Sequence, residues 1–137
     1  NLKVSYYKEF MCWNDIIKLH EKGHIIGNHT FKHTALKNLS YEDACNQIAE
    51  GKKIIEDRLE CRCDYFAFPF GGESFFDQNG LDAALSLHKL IFTSGGYELY
   101  FYDSNPNVFS RRHFEGNWPV SHLNYFLSTQ RNYYVQS

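Results

Sequence analysis

The sequence predicts an α/β fold, either a parallel sheet with helices or an open (β/α) barrel, from two observations. Helix and strand signals alternate along the chain, with no repeat and no low-complexity stretch. The two most distinctive polar segments, residues 28–33 and 69–74, each follow directly on a predicted strand. In such folds chemistry collects in the loops after the C-terminal ends of strands. At 137 residues the chain reads as one domain spanning 1–137, large enough to bury a core.

The elements follow in order. Trp13, Ile16, Ile17 and His20 fall at helical spacing, which predicts a helix over 13–22 that Gly23 ends. His24-Ile25-Ile26-Gly27 then reads as a short buried strand. Ser40 with Asp43 has the pattern of a capping box. From there Ala44, Ile48, Gly51, Ile55 and Leu59 keep one apolar face, while Glu50, Lys52, Lys53 and Asp57 fall mostly off it. Tyr65 to Phe68 is a strand stopped by Pro69 and Gly71-Gly72. Leu81, Ala84, Leu85 and His88 suit a helix, and Leu90 to Thr93 a strand closed by Gly95-Gly96. A loop over 97–107, a strand from Val108 to Phe114 and a helix begun by Pro119 complete the chain.

Composition excludes several classes. A net charge of −2 gives no basic footprint for nucleic acid. No apolar run approaches the ~20 residues of a membrane span. The chain opens on Asn1 and its only methionine is Met11, so the N-terminus reads as cut or processed. Cys12, Cys45, Cys61 and Cys63 form neither a CxxC pair nor a zinc spacing, and are expected to be free, buried thiols of a reducing compartment. Aromatics at 18% suit an aromatic core better than a set of sugar-stacking platforms. No G-x-S-x-G elbow supports a serine nucleophile.

His29 and His33, four residues apart, face the same side if they lie on a helix or on a turn entering one. Neutral imidazoles so placed suit Zn²⁺ or a first-row neighbour, but two ligands do not close a site. Polar loop histidines that merely share this spacing are the plain alternative. Likewise Pro69-Phe70-Gly71-Gly72 by itself reads as a turn.

The run from Met11-Cys12-Trp13 through Gly23 to Gly27-Asn28-His29-Thr30-Phe31-Lys32-His33 resembles the second motif region of polysaccharide deacetylases, carbohydrate esterase family four. Phe66-Ala67-Phe68-Pro69-Phe70-Gly71 is similar to the F-A-[YF]-P-[FY]-G form of that family's third motif. Leu90 to Thr93 and Arg111-Arg112 are similar to its late strands. The resemblance implies a deformed seven-stranded (β/α) barrel, present as its C-terminal two-thirds with the first strands missing. It implies that His29 and His33 bind a divalent metal, usually zinc, and that Thr30 orients their segment. It implies a groove wall at Pro69, Phe70 and Gly71, with the catalytic oxyanion contact coming from the Phe70 N–H. It implies an acetylated carbohydrate as substrate, without nucleic acid.

The family's T-F-D-D motif, with its general base and third metal ligand, has no counterpart in residues 1–28. The arginine of many members' third motif is Ala67 here, and Arg112 is the substitute cation that the resemblance suggests. The family's late histidine has no clean match; His113 and His122 read first as structural residues and only second as stand-ins for it. The preferred expectation is part of a metal-dependent carbohydrate deacetylase whose catalytic aspartates lie outside these residues. The alternative is a non-catalytic remnant that binds carbohydrate or acts as a structural partner. Missing first strands would leave an unpaired sheet edge, so self-association is expected.

Overall fold

The computed structural model describes residues 10–94, 105–111 and 116–129. Its elements are α1 (Trp13–Glu21), α2 (Tyr41–Leu59), β1 (Tyr65–Ala67), α3 (Gln78–Leu87), β2 (Leu90–Ser94), β3 (Val108–Arg111) and α4 (Val120–Thr129). The three strands form one parallel sheet in the order β1-β2-β3, as the alternating pattern predicts.

Register sorts the sheet into two faces. Phe66, Ile91, Thr93, Val108 and Ser110 point to the side covered by helices, and all five are buried. Helices α2 and α3 pack against each other there. Their core joins Ala44 and Ile48 of α2 to Leu81 and Ala84 of α3, with Phe66, Phe68 and Phe76 between them. Phe68 and Phe76 stack at 4.0 Å. The opposite face carries a half-buried row of rings across all three strands: Tyr65 to Phe92 at 6.4 Å, and Phe92 to Phe109 at 5.9 Å.

Helix α2 starts where its cap predicts. The Ser40 hydroxyl accepts from the Asp43 N–H at 3.0 Å and donates to the Asp43 carboxylate at 2.6 Å. That carboxylate therefore satisfies the cap side chain instead of reaching back to the Ser40 amide. Helix α3 stops one residue short of His88, which serves as its C-cap.

The expected buried strand over 24–27 does not form. Pairing with β1 is a single bridge, Asn28 to Phe66, and His24, Ile25 and Gly27 are exposed. Among the described residues no strand lies on the outer side of this segment, so nothing extends the ladder. Strand β3 covers Val108–Arg111, and the rest of the strand expected up to Phe114 lies outside the described residues. All four cysteines are free, but only Cys63 is buried and Cys12 is exposed, because α1 buries none of its residues. Among the described residues no helix is long and apolar enough to cross a membrane.

Candidate active site

The site is built on a loop locked to the end of β1. Asn28 donates its N–H to the Tyr65 carbonyl at 2.8 Å, and its own carbonyl accepts from the Ala67 N–H at 2.9 Å. These two bonds fix the backbone from which His29 projects. The His29 ring then turns back on the same strand, with Nδ1 2.7 Å from the Ala67 carbonyl oxygen. A carbonyl only accepts, so Nδ1 carries the proton and the Nε2 lone pair is left free.

His33 reaches the same place, but not by helical geometry. Residues 28–33 contain no helical turn, and both Thr30 (φ 65°) and His33 (φ 53°) sit in left-handed backbone. The two reversals fold the chain back so that the imidazole centroids lie 4.8 Å apart, edge to face. Non-glycine residues in this region cost on the order of 1 kcal/mol or more each and need outside support. Support comes from α2: the Phe31 N–H donates to the Gln47 carbonyl at 3.2 Å. Gly51 lets the loop sit close, since a Cβ there would lie 2.5 Å from Asn28 Oδ1.

The third segment is the turn after β1. Pro69 is buried, and Phe70 adopts φ 61° and presents its ring 54% exposed. That ring meets His33 edge to face at 4.7 Å and Phe75 at 5.0 Å. Gly71 (φ 70°) accepts the Ser94 N–H on its carbonyl at 2.8 Å, and its Cα abuts Ser94 so closely that a Cβ would strike that side chain. The segment is the turn its residues predict, pinned to β2 and setting Phe70 beside His33.

The surroundings of His29 favour its neutral form. Its pKa is lowered first by desolvation in the cleft, then by the neighbouring His33 and Arg111, against a pull upward from the Ala67 carbonyl. Arg111, at the end of β3, holds its guanidinium carbon 5.7 Å from the Phe92 ring. It is a cation near the site that the sequence analysis did not single out. Arg112 and His113 lie outside the described residues. His122 is on α4, with its ring 6.0 Å from Trp118. Thr30 Oγ1, expected to bond its own segment, has no partner among the described residues. Trp13 packs under the Arg58 guanidinium at 5.3 Å, and Phe31 is 44% exposed.

A divalent ion fits the pair as half of a site. Two imidazoles lie together, one with its tautomer fixed by a backbone carbonyl, as in metal-ligating histidines generally. Among the described residues no group of three or more His, Cys, Asp or Glu gathers to hold an ion, so an ion held by this pair would need further ligands.

The sequence model of the family described as Polysaccharide deacetylase matches residues 3–88. The peptidoglycan-N-acetylmuramic acid deacetylase PdaC of Bacillus subtilis is 32% identical over 85 residues, covering 61% of this chain and 17% of that protein. The Streptococcus pyogenes deacetylase PplD, solved in complex with acetate, superposes with a TM-score of 0.71 at 19% identity over 85% of this chain and 50% of its own. IcaB from Ammonifex degensii gives a TM-score of 0.66 at 19% identity, over 88% of this chain and 54% of its own. The chain therefore spans about half or less of the relatives it matches, and the two solved structures share its fold. On the family match over residues 3–88, which takes in both the histidine loop and the turn at Phe70, the chain belongs to the polysaccharide deacetylase family.

Proposed function

We propose that these residues are the histidine-bearing part of a metal-dependent carbohydrate deacetylase, a hydrolase that removes acetyl groups from an N- or O-acetylated glycan. The observation that carries this reading is the pairing of His29 and His33 at 4.8 Å, with His29 Nδ1 tied to Ala67 and Phe70 against His33. When bound, a zinc or other divalent ion supplies Lewis acidity at the acetyl carbonyl and makes a water more acidic. His29 and His33 hold that ion, and the Ala67 carbonyl keeps the His29 ring aimed. The Phe70 N–H donates to the oxyanion that develops on the acetyl oxygen, a contact worth on the order of 3 kcal/mol in comparable sites. Pro69 and Gly71 fix the turn that places this N–H, and Thr30 shapes the loop between the two ligands. Arg111 adds positive charge at the same end of the sheet, and the role for Arg112 rests on resemblance alone.

The general base and the remaining metal ligands come from a segment outside the described residues. In this reading the three strands are one sector of a larger (β/α) barrel, and the row Tyr65, Phe92 and Phe109 faces its interior. PdaC, by its name a deacetylase of peptidoglycan N-acetylmuramic acid, makes acetylated peptidoglycan the first substrate to try.

The test uses the full-length protein with zinc and with acetylated peptidoglycan fragments and chitooligosaccharides. Zinc binding and acetate release are expected, and His29→Ala or His33→Ala should lower zinc affinity by at least a hundredfold. Undiminished zinc binding in both variants would remove the reading.

A further inference from the structure

We propose that His88 is a positioning residue for the ion-binding loop: its Nε2 accepts a hydrogen bond from the buried Asn28 amide and so fixes the residue from which His29 projects. The inference rests on the reading that His29 and His33 bind an ion.

Asn28 is 1% exposed, and its side chain lies inside the molecule between α2 and the end of α3. Its Nδ2 donates to the Ile48 carbonyl at 2.8 Å and sits 3.3 Å from His88 Nε2. The Ile48 contact settles which end of the amide is nitrogen, because a carbonyl must receive a donor. It follows that His88 Nε2 faces an NH₂ group, must be the acceptor, and belongs to a neutral ring protonated on Nδ1. His88 is held in turn. Its backbone N–H donates to the Ala84 carbonyl at 3.0 Å, and its ring lies 5.3 Å from Phe66, with 7% of the residue exposed.

Counting the two backbone bonds to Tyr65 and Ala67, Asn28 is tied at four points to α2, to β1 and to the end of α3. The next residue is His29. The one after it, Thr30, is in left-handed backbone, so the loop needs a fixed point of departure. His88 supplies one from 60 residues away. Partners behind a metal ligand typically change metal affinity by about 10–100-fold when removed. His88 acts one residue further back, through Asn28, so the lower end of that range applies.

The experiment titrates the full-length protein with zinc alone by calorimetry, with thermal melts in parallel. His88→Leu removes the acceptor and should weaken zinc binding by about tenfold. His88→Gln returns an acceptor oxygen to the Asn28 amide and should bind within about threefold of wild type. A purely structural role predicts a lowered melting temperature in His88→Leu with unchanged zinc affinity well below the melt, and that result overturns the proposal. So does a folded His88→Gln that loses tenfold, which keeps the test decisive if His88→Leu does not fold. Zinc binding lost in His29→Ala but intact in His88→Leu refutes the positioning role alone. Absence of zinc binding by the wild-type protein refutes the ion site and, with it, this inference.

Discussion

Burial drops the pKa of His88 to about 4, with the nearby Lys52 ammonium adding to the effect and Ala84, Glu56 and Asp64 opposing it. The sign of the resulting pH dependence follows. Below the ordinary value near 6.5 the unfolded ring takes up a proton, while the folded ring stays neutral until about pH 4. Stability should therefore fall as pH drops through that window, by up to ~3 kcal/mol from this residue. Chemical denaturation of wild type and His88→Gln at pH 7 and pH 4.5 measures it, and equal pH slopes in the two would refute it. Residue by residue, spacing left His29 and His33 open between metal ligands and loop histidines, and it was the resemblance to the family's two motifs that singled them out together with the turn at Phe70. Asn28, Gly51 and His88 stayed hidden because each acts through a contact distant in sequence. His88 reads from spacing as one more position on an apolar helix face, and Arg111 as half of a basic pair. Even the histidine pair is brought together by left-handed turns at Thr30 and His33, which spacing alone does not reveal.

Helix α2 shows how an element serves the site without contributing a reacting group. Gly51 lies in its interior, where glycine costs about 1 kcal/mol relative to alanine in helix propensity. The close approach of Asn28 Oδ1, and of the Thr30 carbonyl carbon at 3.0 Å, accounts for the small residue. Gly51→Ala sets that propensity gain against overpacking of about 1–3 kcal/mol, and crowding against backbone should win. The expected outcome is a net loss of about 1 kcal/mol in denaturant unfolding, together with weaker zinc binding as the loop is pushed off its helix. A more stable variant with wild-type affinity would show that the loop yields freely. At this scale capping and periodicity were legible, as Ser40 and the stripe Ala44, Ile48, Gly51 demonstrate. The failure over residues 24–27 has a different origin. An apolar run becomes a strand only where a neighbour completes its hydrogen bonds, and sequence pattern does not report the neighbour.

At the scale of the whole molecule, the sheet of the described residues is apolar on both faces, with helices covering one. Its parallel order was readable from the alternation of elements. Ile25, 67% exposed, lies beside the single bridge to β1, and the ring row Tyr65, Phe92 and Phe109 is half-buried. A chain of these 137 residues should therefore self-associate. Light scattering should show mass rising with concentration, and Ile25→Lys should reduce the rise; a constant monomer mass would exclude it. Selection for heat resistance alone would act against the site at Thr30, His33 and Phe70, where left-handed backbone carries side chains that glycine would relieve. Libraries screened on survival of heating should drift toward Gly or Asn at these codons, and libraries screened on zinc retention should keep histidine at 33. The two screens would pull one short stretch of sequence in opposite directions.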